Sequence, residues 1–299
     1  NNLSDFVQQQ GVKCNFADSI PWVILSPIEQ SIKQKIESVG IPLKDWNIQI
    51  NYGIKTGFND AFIISTEKRD EILANCQTED ERVRTAELIR PILRGRDIKR
   101  YEYEWADLWI IATFPSRHYD IESYPAVKNY LLSIGIERLE QTGETHIVNG
   151  KKIKARKKTC NEWFETQDSI SYWEDFSKPK IVWGNLNLTA SYAMVQDNSF
   201  INAPSPVIVP ASKFLLAVLN SKLADYYIRQ LGVTRNGGYF EYKPMFVEKL
   251  PVPQNADTKA VTDIESYVDS KNETAIDKAV YMLYGLTEEE TLYIDKKGR

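Results

Sequence analysis

Histidine is scarce in this 299-residue chain: His118 and His146 are the only two. Neither has a second histidine four residues away, so a helix-borne metal pair is excluded, and each reads as a structural or solvated side chain. Cysteine is nearly as rare. Cys14, Cys76 and Cys160 stand too far apart for a disulfide framework or a paired ligand spacing, which suggests a reducing, cytoplasmic setting. No apolar run approaches the roughly 20 residues of a membrane-spanning helix, so no membrane partner is expected. The polar start, Asn1 to Gln10, lacks a signal pattern and an initiator methionine, and is read as a piece of a longer chain. Also missing are the phosphate-binding Gly-x-x-x-x-Gly-Lys-Ser/Thr, a Gly-x-Gly-x-x-Gly after a strand, and Gly-x-Ser-x-Gly. Carboxylates are plentiful but lie in mixed-charge helical stretches. Nothing in the sequence groups a nucleophile, a base and an anion site.

What is present begins with uneven charge. The net charge is −4, and Asp257 to Arg299 holds ten acids against six bases, which accounts for all of it. Residues 1–256 are therefore neutral, with bases gathered at Arg94–Arg100 and Lys151–Lys158. Local potential governs polyanion binding more than the total does, so a duplex partner stays open.

Periodicity predicts a helix over Pro27–Val39, with Ser26 and Glu29 as a capping box and Ile28, Ile32, Ile36 and Val39 on one face. Strands are expected at Trp46–Ile54, Ala61–Ser65, Leu108–Phe114, Lys180–Trp183, Thr189–Gln196, Val207–Val209 and Phe240–Val247. Helices are expected from Thr78 to Ile89, Tyr124 to Leu139 and Ser212 to Leu231. Residues 141–166 read as a long basic loop or hairpin. After Leu250-Pro251-Val252-Pro253 the chain reads as helices over 257–269 and 273–284, then a short one capped by Thr287 with Glu290. These groups give a mixed α+β class with small sheets, packed helices and a helical C-terminal tail, without the regular alternation of a doubly wound sheet.

Three stretches carry recognition chemistry. Arg94-Gly95-Arg96-Asp97-Ile98-Lys99-Arg100 offers arginines suited to guanine or phosphate, beside a glycine that lets backbone approach closely. Lys151, Lys152, Lys154 and Arg156 could track phosphates. Arg235-Asn236-Gly237-Gly238-Tyr239 joins a cation to an amide that can read adenine. The bland alternatives are a salt-bridged surface loop, a solvated hairpin tip and an ordinary turn.

Three motifs then carry a resemblance. They are Tyr52-Gly53-Ile54-Lys55-Thr56-Gly57-Phe58-Asn59-Asp60-Ala61-Phe62; Leu88 to Tyr101, containing Arg90-Pro91-Ile92-Leu93-Arg94-Gly95-Arg96; and Leu219-Asn220-Ser221-Lys222-Leu223, followed by Gly238-Tyr239-Phe240 and Phe246 to Pro253. In this order they resemble the TaqI-like C-terminal specificity domain of adenine-specific DNA methyltransferases and type IIG restriction-modification enzymes. The tail from Ile276 to Glu290 is similar to the end of such enzymes. The resemblance implies a target-recognition domain that binds double-stranded DNA beside a methyltransferase domain of the same parent chain. The parent would take S-adenosylmethionine, and magnesium if a nuclease is fused; this part would take no cofactor.

The family's Asn-Pro-Pro-Tyr is absent, so no catalysis is expected from this part alone. The organisation then reads as a linker remnant (1–25), a target-recognition domain (26–253) and a helical tail (254–299). DNA contacts are expected from Arg94, Arg96, Lys99, Arg100, Arg235 and Lys243, with Lys55, Asn59, Arg117, Lys151, Lys152, Lys154 and Arg156 as further candidates. Gly53, Gly57 and Asn59 also suit a tight turn, and that scaffold role is the alternative for them. Three other readings remain: the specificity subunit of a type I restriction system, suggested by the Leu-Pro-Val-Pro exit, a protein-interaction module built on the acidic tail, and an enzyme of unfamiliar type.

Overall fold

The computed structural model describes residues 25–297, so all but the last residue of the expected linker lies outside it. Helix α1 (Pro27–Val39) starts on the expected capping box: Glu29 N donates to Ser26 Oγ and Ser26 N to Glu29 Oε2 at 2.8 Å. The chain continues through β1 (Ile41–Pro42), β2 (Gln49–Tyr52), a helical turn α2 (Asn59–Phe62), β3 (Ile63–Ser65), α3 (Thr66–Ala74) and α4 (Glu79–Leu88). Next come β4 (Ile89–Leu93), β5 (Leu108–Ile111), α5 (Pro125–Ile134), α6 (Ile136–Leu139) and the hairpin β6 (Thr145–Val148) and β7 (Lys151–Lys154). Then follow β8 (Lys180–Trp183), β9 (Leu186–Asn187), β10 (Tyr192–Val195), β11 (Phe200–Ile201), β12 (Pro206–Val209), α7 (Lys213–Asn220) and α8 (Lys222–Arg229). The chain closes with β13 (Phe240–Glu241), α9 (Pro244–Val247), β14 (Pro251–Val252), α10 (Thr258–Asp269), α11 (Glu273–Leu283) and α12 (Glu288–Lys297).

Several expected elements are divided. The helix expected over 124–139 breaks at Gly135, whose φ of 106° no helix allows. The one over 212–231 breaks at Ser221, which turns extended and caps α8 by accepting from Ala224 N at 3.2 Å. The strand over 240–247 stops after Glu241, and Pro244 starts a helical turn. Helix α3 was not foreseen: it buries only Ile72 and Leu73, and so shows no apolar repeat.

Two four-stranded sheets carry the fold. One, ordered β10-β8-β12-β2, is antiparallel throughout. The other, ordered β11-β4-β5-β3, pairs β11 parallel to β4 and is otherwise antiparallel. Side chains alternate faces with period two. Val182, Val207, Val209, Ala193 and Val195 of the first sheet meet Ile92, Ile110, Phe200 and Ile201 of the second in a shared core. The first sheet turns Ile181, Trp183, Tyr192 and Ile208 toward α1, α7, α8 and the C-terminal helices. The second turns Ile64, Ile89 and Ile111 toward α3, α4 and α5. The order of layers is therefore helix, sheet, sheet, helix.

The sheets are stitched where β2 runs on: Ile54 N donates to Ile201 O at 2.6 Å and Ala203 N to Ile54 O at 2.9 Å. Gly53 lies at this stitch, and a Cβ there would sit 2.4 Å from Ile201 O. Only glycine permits that approach.

The acidic tail shares a core with the rest. Ile264, Ile276, Val280, Tyr284 and Ile294 pack with Ile32, Ile36, Leu215 and Leu219. Glu290 locks α12 to α1, accepting from Lys35 Nζ and Ser31 Oγ, both at 2.6 Å, and from Thr287 N at 2.7 Å. Burial alone would raise its pKa, but these donors outweigh that and hold it at about 2, against the usual 4.5. A depressed folded-state pKa contributes stability that is present above pH 4.5 and is lost as pH falls toward 2. Urea unfolding at stepped pH should show Glu290→Gln less stable than wild type at pH 7, with the gap closing through that window. A gap that does not change with pH would contradict the assignment.

Candidate nucleic-acid interface

The Arg94–Lys99 loop leaves the C-terminal end of β4 as a rigid turn. Asp97, 5% exposed, accepts from Arg94 N at 2.8 Å and takes the Arg94 guanidinium through two bonds, Nε–Oδ2 at 2.9 Å and Nη2–Oδ1 at 2.7 Å. The Asp97 hydrogen bond raises the Arg94 pKa further and keeps it charged. Arg94 is thus largely committed to its own loop, while Arg96 stands exposed beside Lys99, whose Nζ donates to Arg96 O at 2.8 Å.

Gly95 joins this loop to a second one. A Cβ on Gly95 would lie 2.8 Å from Ser205 Oγ and 3.4 Å from Gly184 Cα, and one on Gly184 would lie 3.1 Å from Gly95 O. Backbone-to-backbone packing of this kind needs two glycines, one from each loop. The Gly184–Leu188 loop in turn carries β9, which pairs with β13 through Phe240↔Asn187 and Glu241↔Leu186. That ladder brings in the Arg235–Tyr239 loop, where Gly237 and Gly238 adopt φ of 74° and 83°. Trp183 Nε1 donates to Tyr242 O at 2.6 Å and anchors it from below. Glu241 accepts ion pairs from Arg235 at 3.0 Å and Lys243 at 2.7 Å; Lys243 first and Arg235 second lower its pKa.

The result is one edge bearing Arg96, Lys99, Arg235, Asn236 and Lys243, with Leu186, Leu188 and Tyr239 exposed among them. The 184–188 loop was missed in the sequence. Its only signal was glycine and asparagines after a strand.

The Lys55 turn is tied to the segment that supports this edge, and the basic hairpin packs near that turn through Arg138 and Phe58. Gly53 N donates to Ser205 O at 2.8 Å, so the chain entering the Lys55 turn touches the segment that supports Gly95. In that turn Gly57 has φ of 80°. Asn59 Oδ1 accepts from Thr56 Oγ1 at 2.7 Å, which ties its side chain to the turn, whereas Lys55 is exposed. The hairpin turns at Asn149-Gly150, both with positive φ, and exposes Lys151, Lys152 and Lys154. Arg138 binds it by donating to Lys154 O at 2.9 Å, with the guanidinium 3.8 Å over the Phe58 ring.

Three expected contacts are corrected by the geometry. Arg156 is 2% exposed, and its guanidinium donates to four carbonyls: Leu139 O, Glu165 O and Trp163 O at 2.7 Å and Thr56 O at 2.8 Å. Burial lowers its pKa to about 10, with Arg138 adding to the effect. It is an internal brace with no face left for a ligand. Arg100 turns away from the edge into the seam with α11, 3.0 Å from Glu273 and 3.3 Å from Ala190 O. Arg117 lies elsewhere, 3.9 Å over the Trp173 ring.

This arrangement of two stitched sheets with helical flanks is shared with solved restriction-modification enzymes. The type IIL enzyme MmeI, solved in complex with DNA, aligns over 85% of this chain and 36% of its own, with a TM-score of 0.54 at 13% identity. The type IIG restriction endonuclease BpuSI aligns over 88% of this chain and 33% of its own, with a TM-score of 0.51 at 12% identity. Residues 90–252 match the TaqI-like C-terminal specificity domain, and the chain belongs to that family. Among curated relatives are the type II methyltransferase M.XhoI of Xanthomonas vasicola, 22% identical over 97% of this chain, and M.PaeR7I of Pseudomonas aeruginosa, 21% identical over 93%. The chain spans about half the length of these relatives, 49% and 45% respectively.

Proposed function

We propose that this chain is the DNA target-recognition part of a type II restriction-modification enzyme whose parent methylates adenine with S-adenosylmethionine. The carrying observation is the Gly95–Gly184 contact. It fuses two loops from different sheets into one surface and, through β9 and β13, sets Arg96, Arg235, Asn236 and Lys243 on the same edge. Family membership and the methyltransferase names of the relatives support the reading.

In it, Arg96, Lys99, Lys243, Lys55 and the hairpin lysines take phosphates, which position the duplex without reading it. Arg235 and Asn236 stand on the flexible Gly-Gly loop, where a guanidinium can meet guanine and an amide can meet adenine in the major groove. Leu186 and Leu188 provide apolar contact with thymine methyls.

The residues here do not fit the methyl donor. The glycines at the strand ends have their Cβ space filled by Ile201 O and Ser205 Oγ, so neither opens a cradle for a nucleoside. The described residues also hold no group of three or more metal-ligand side chains, and no helix among them is long and apolar enough to cross a membrane. In this reading the donor, the catalytic motif and any magnesium belong to the parent's other part, which carries out the transfer.

The test is a salt titration of duplex binding by fluorescence anisotropy. Affinity should fall steeply and linearly in log–log form, with a slope of about 0.9 per phosphate contacted. A slope near zero, or no binding at low salt, would overturn the reading.

A further inference from the structure

A second basic site lies at the other end of β4. Arg90 is near its start and Arg94 just beyond its end, about 13 Å apart at roughly 3.3 Å per residue. Around Arg90 a cavity of about 360 Å³ is lined by Arg84, Arg117, Glu87, Tyr119 and Trp173, among others. The three arginines reach it from α4, from β4 and from the turn after β5.

None of the three has a carboxylate partner among the described residues, whereas Arg94, Arg100, Arg229 and Arg235 all do. Carbonyls and rings hold them in place instead. Arg84 donates to Ser123 O and Arg90 to Asn198 O, both at 3.3 Å. Arg117 lies 3.9 Å over the Trp173 ring and 5.7 Å over Tyr119. Glu87 is the one acid in the lining, so three positive charges face one negative.

Guanidinium groups that are oriented yet unneutralised match phosphate oxygens, and aromatic walls match a planar base. We propose that this cavity is a nucleotide-binding site separate from the duplex edge. Arg84, Arg90 and Arg117 hold the phosphate, and the Tyr119 and Trp173 walls take the base or sugar. The nucleotide could be free or could belong to an unpaired strand; the chemistry is the same.

Calorimetry on the chain with dAMP, a five-nucleotide single strand and inorganic phosphate tests this. An Arg84→Gln/Arg117→Gln double variant should bind the nucleotide probe at least tenfold more weakly, and Glu87→Gln should bind it more tightly. Binding of dAMP identifies a free nucleotide as the source; binding of the oligonucleotide alone identifies a strand. The Glu87→Gln arm keeps the test decisive if the double variant fails to fold. The proposal is overturned if neither nucleotide probe binds, if inorganic phosphate binds as tightly as they do, or if the variants match wild type. Because the probes contain no duplex, loss of duplex recognition would leave this result standing.

Discussion

Arg156→Met should lose a large part of the chain's folding stability, roughly 3–5 kcal/mol out of the 5–15 typical of a folded protein. The side chain donates to four carbonyls drawn from the Lys55 turn, the end of α6 and the 163–165 segment. Methionine fills the volume but leaves those acceptors unpaired, and each buried unpaired group costs about 1–3 kcal/mol. Lysine reaches fewer of them, so Arg156→Lys should fall between. Urea unfolding reads the effect directly, and a wild-type midpoint for Arg156→Met would show that the brace is dispensable. Any loss of duplex affinity should track the unfolded fraction, with the salt slope unchanged in the molecules that remain folded.

The converse holds for the edge. Arg96→Ala, Arg235→Ala and Lys243→Ala together should leave stability within about 0.5 kcal/mol per site, since all three side chains are at the surface. Duplex affinity should drop by about 100-fold at moderate salt, and the salt slope by about 1.8, or 0.9 for each of the two phosphate contacts, those of Arg96 and Lys243. Glu241 tempers the wild-type value, because it pairs with both Arg235 and Lys243 and must release them to DNA. Glu241→Gln should therefore tighten binding. Anisotropy at two or more salt concentrations, with unfolding as the control, separates these outcomes. Weaker binding with an unchanged slope would place Arg96 and Lys243 outside the phosphate contacts.

Much of this was legible in the sequence where chemistry is local. The Ser26–Glu29 box, a basic loop or hairpin within residues 141–166 and the α+β class all follow from short-range patterns. So did the three motifs, whose glycines now have distinct causes: Gly53 for the stitch between sheets, Gly57 for its positive φ, and Gly95 for loop packing. What failed depends on distant residues. Arg156 and Lys154 sit two apart in one basic run, yet one is sealed under four carbonyls and the other is exposed, because the hairpin ends between them. Arg100 is drawn off by Glu273, 173 positions away in the helical C-terminal tail. The role of Gly184 is visible only once Gly95 is placed against it. Composition told where charge is dense, but tertiary pairing decides which charge is left for a ligand.

Enrichment of duplexes from a random pool by the wild-type chain, set beside an Arg235→Ala/Asn236→Ala variant, tests the central claim most directly. The account expects one short motif to be recovered by wild type, and the variant to lose preference at one or two positions while still retaining duplex. A pool that stays random after retention by wild type, or an identical motif from both proteins, would contradict reading by this edge.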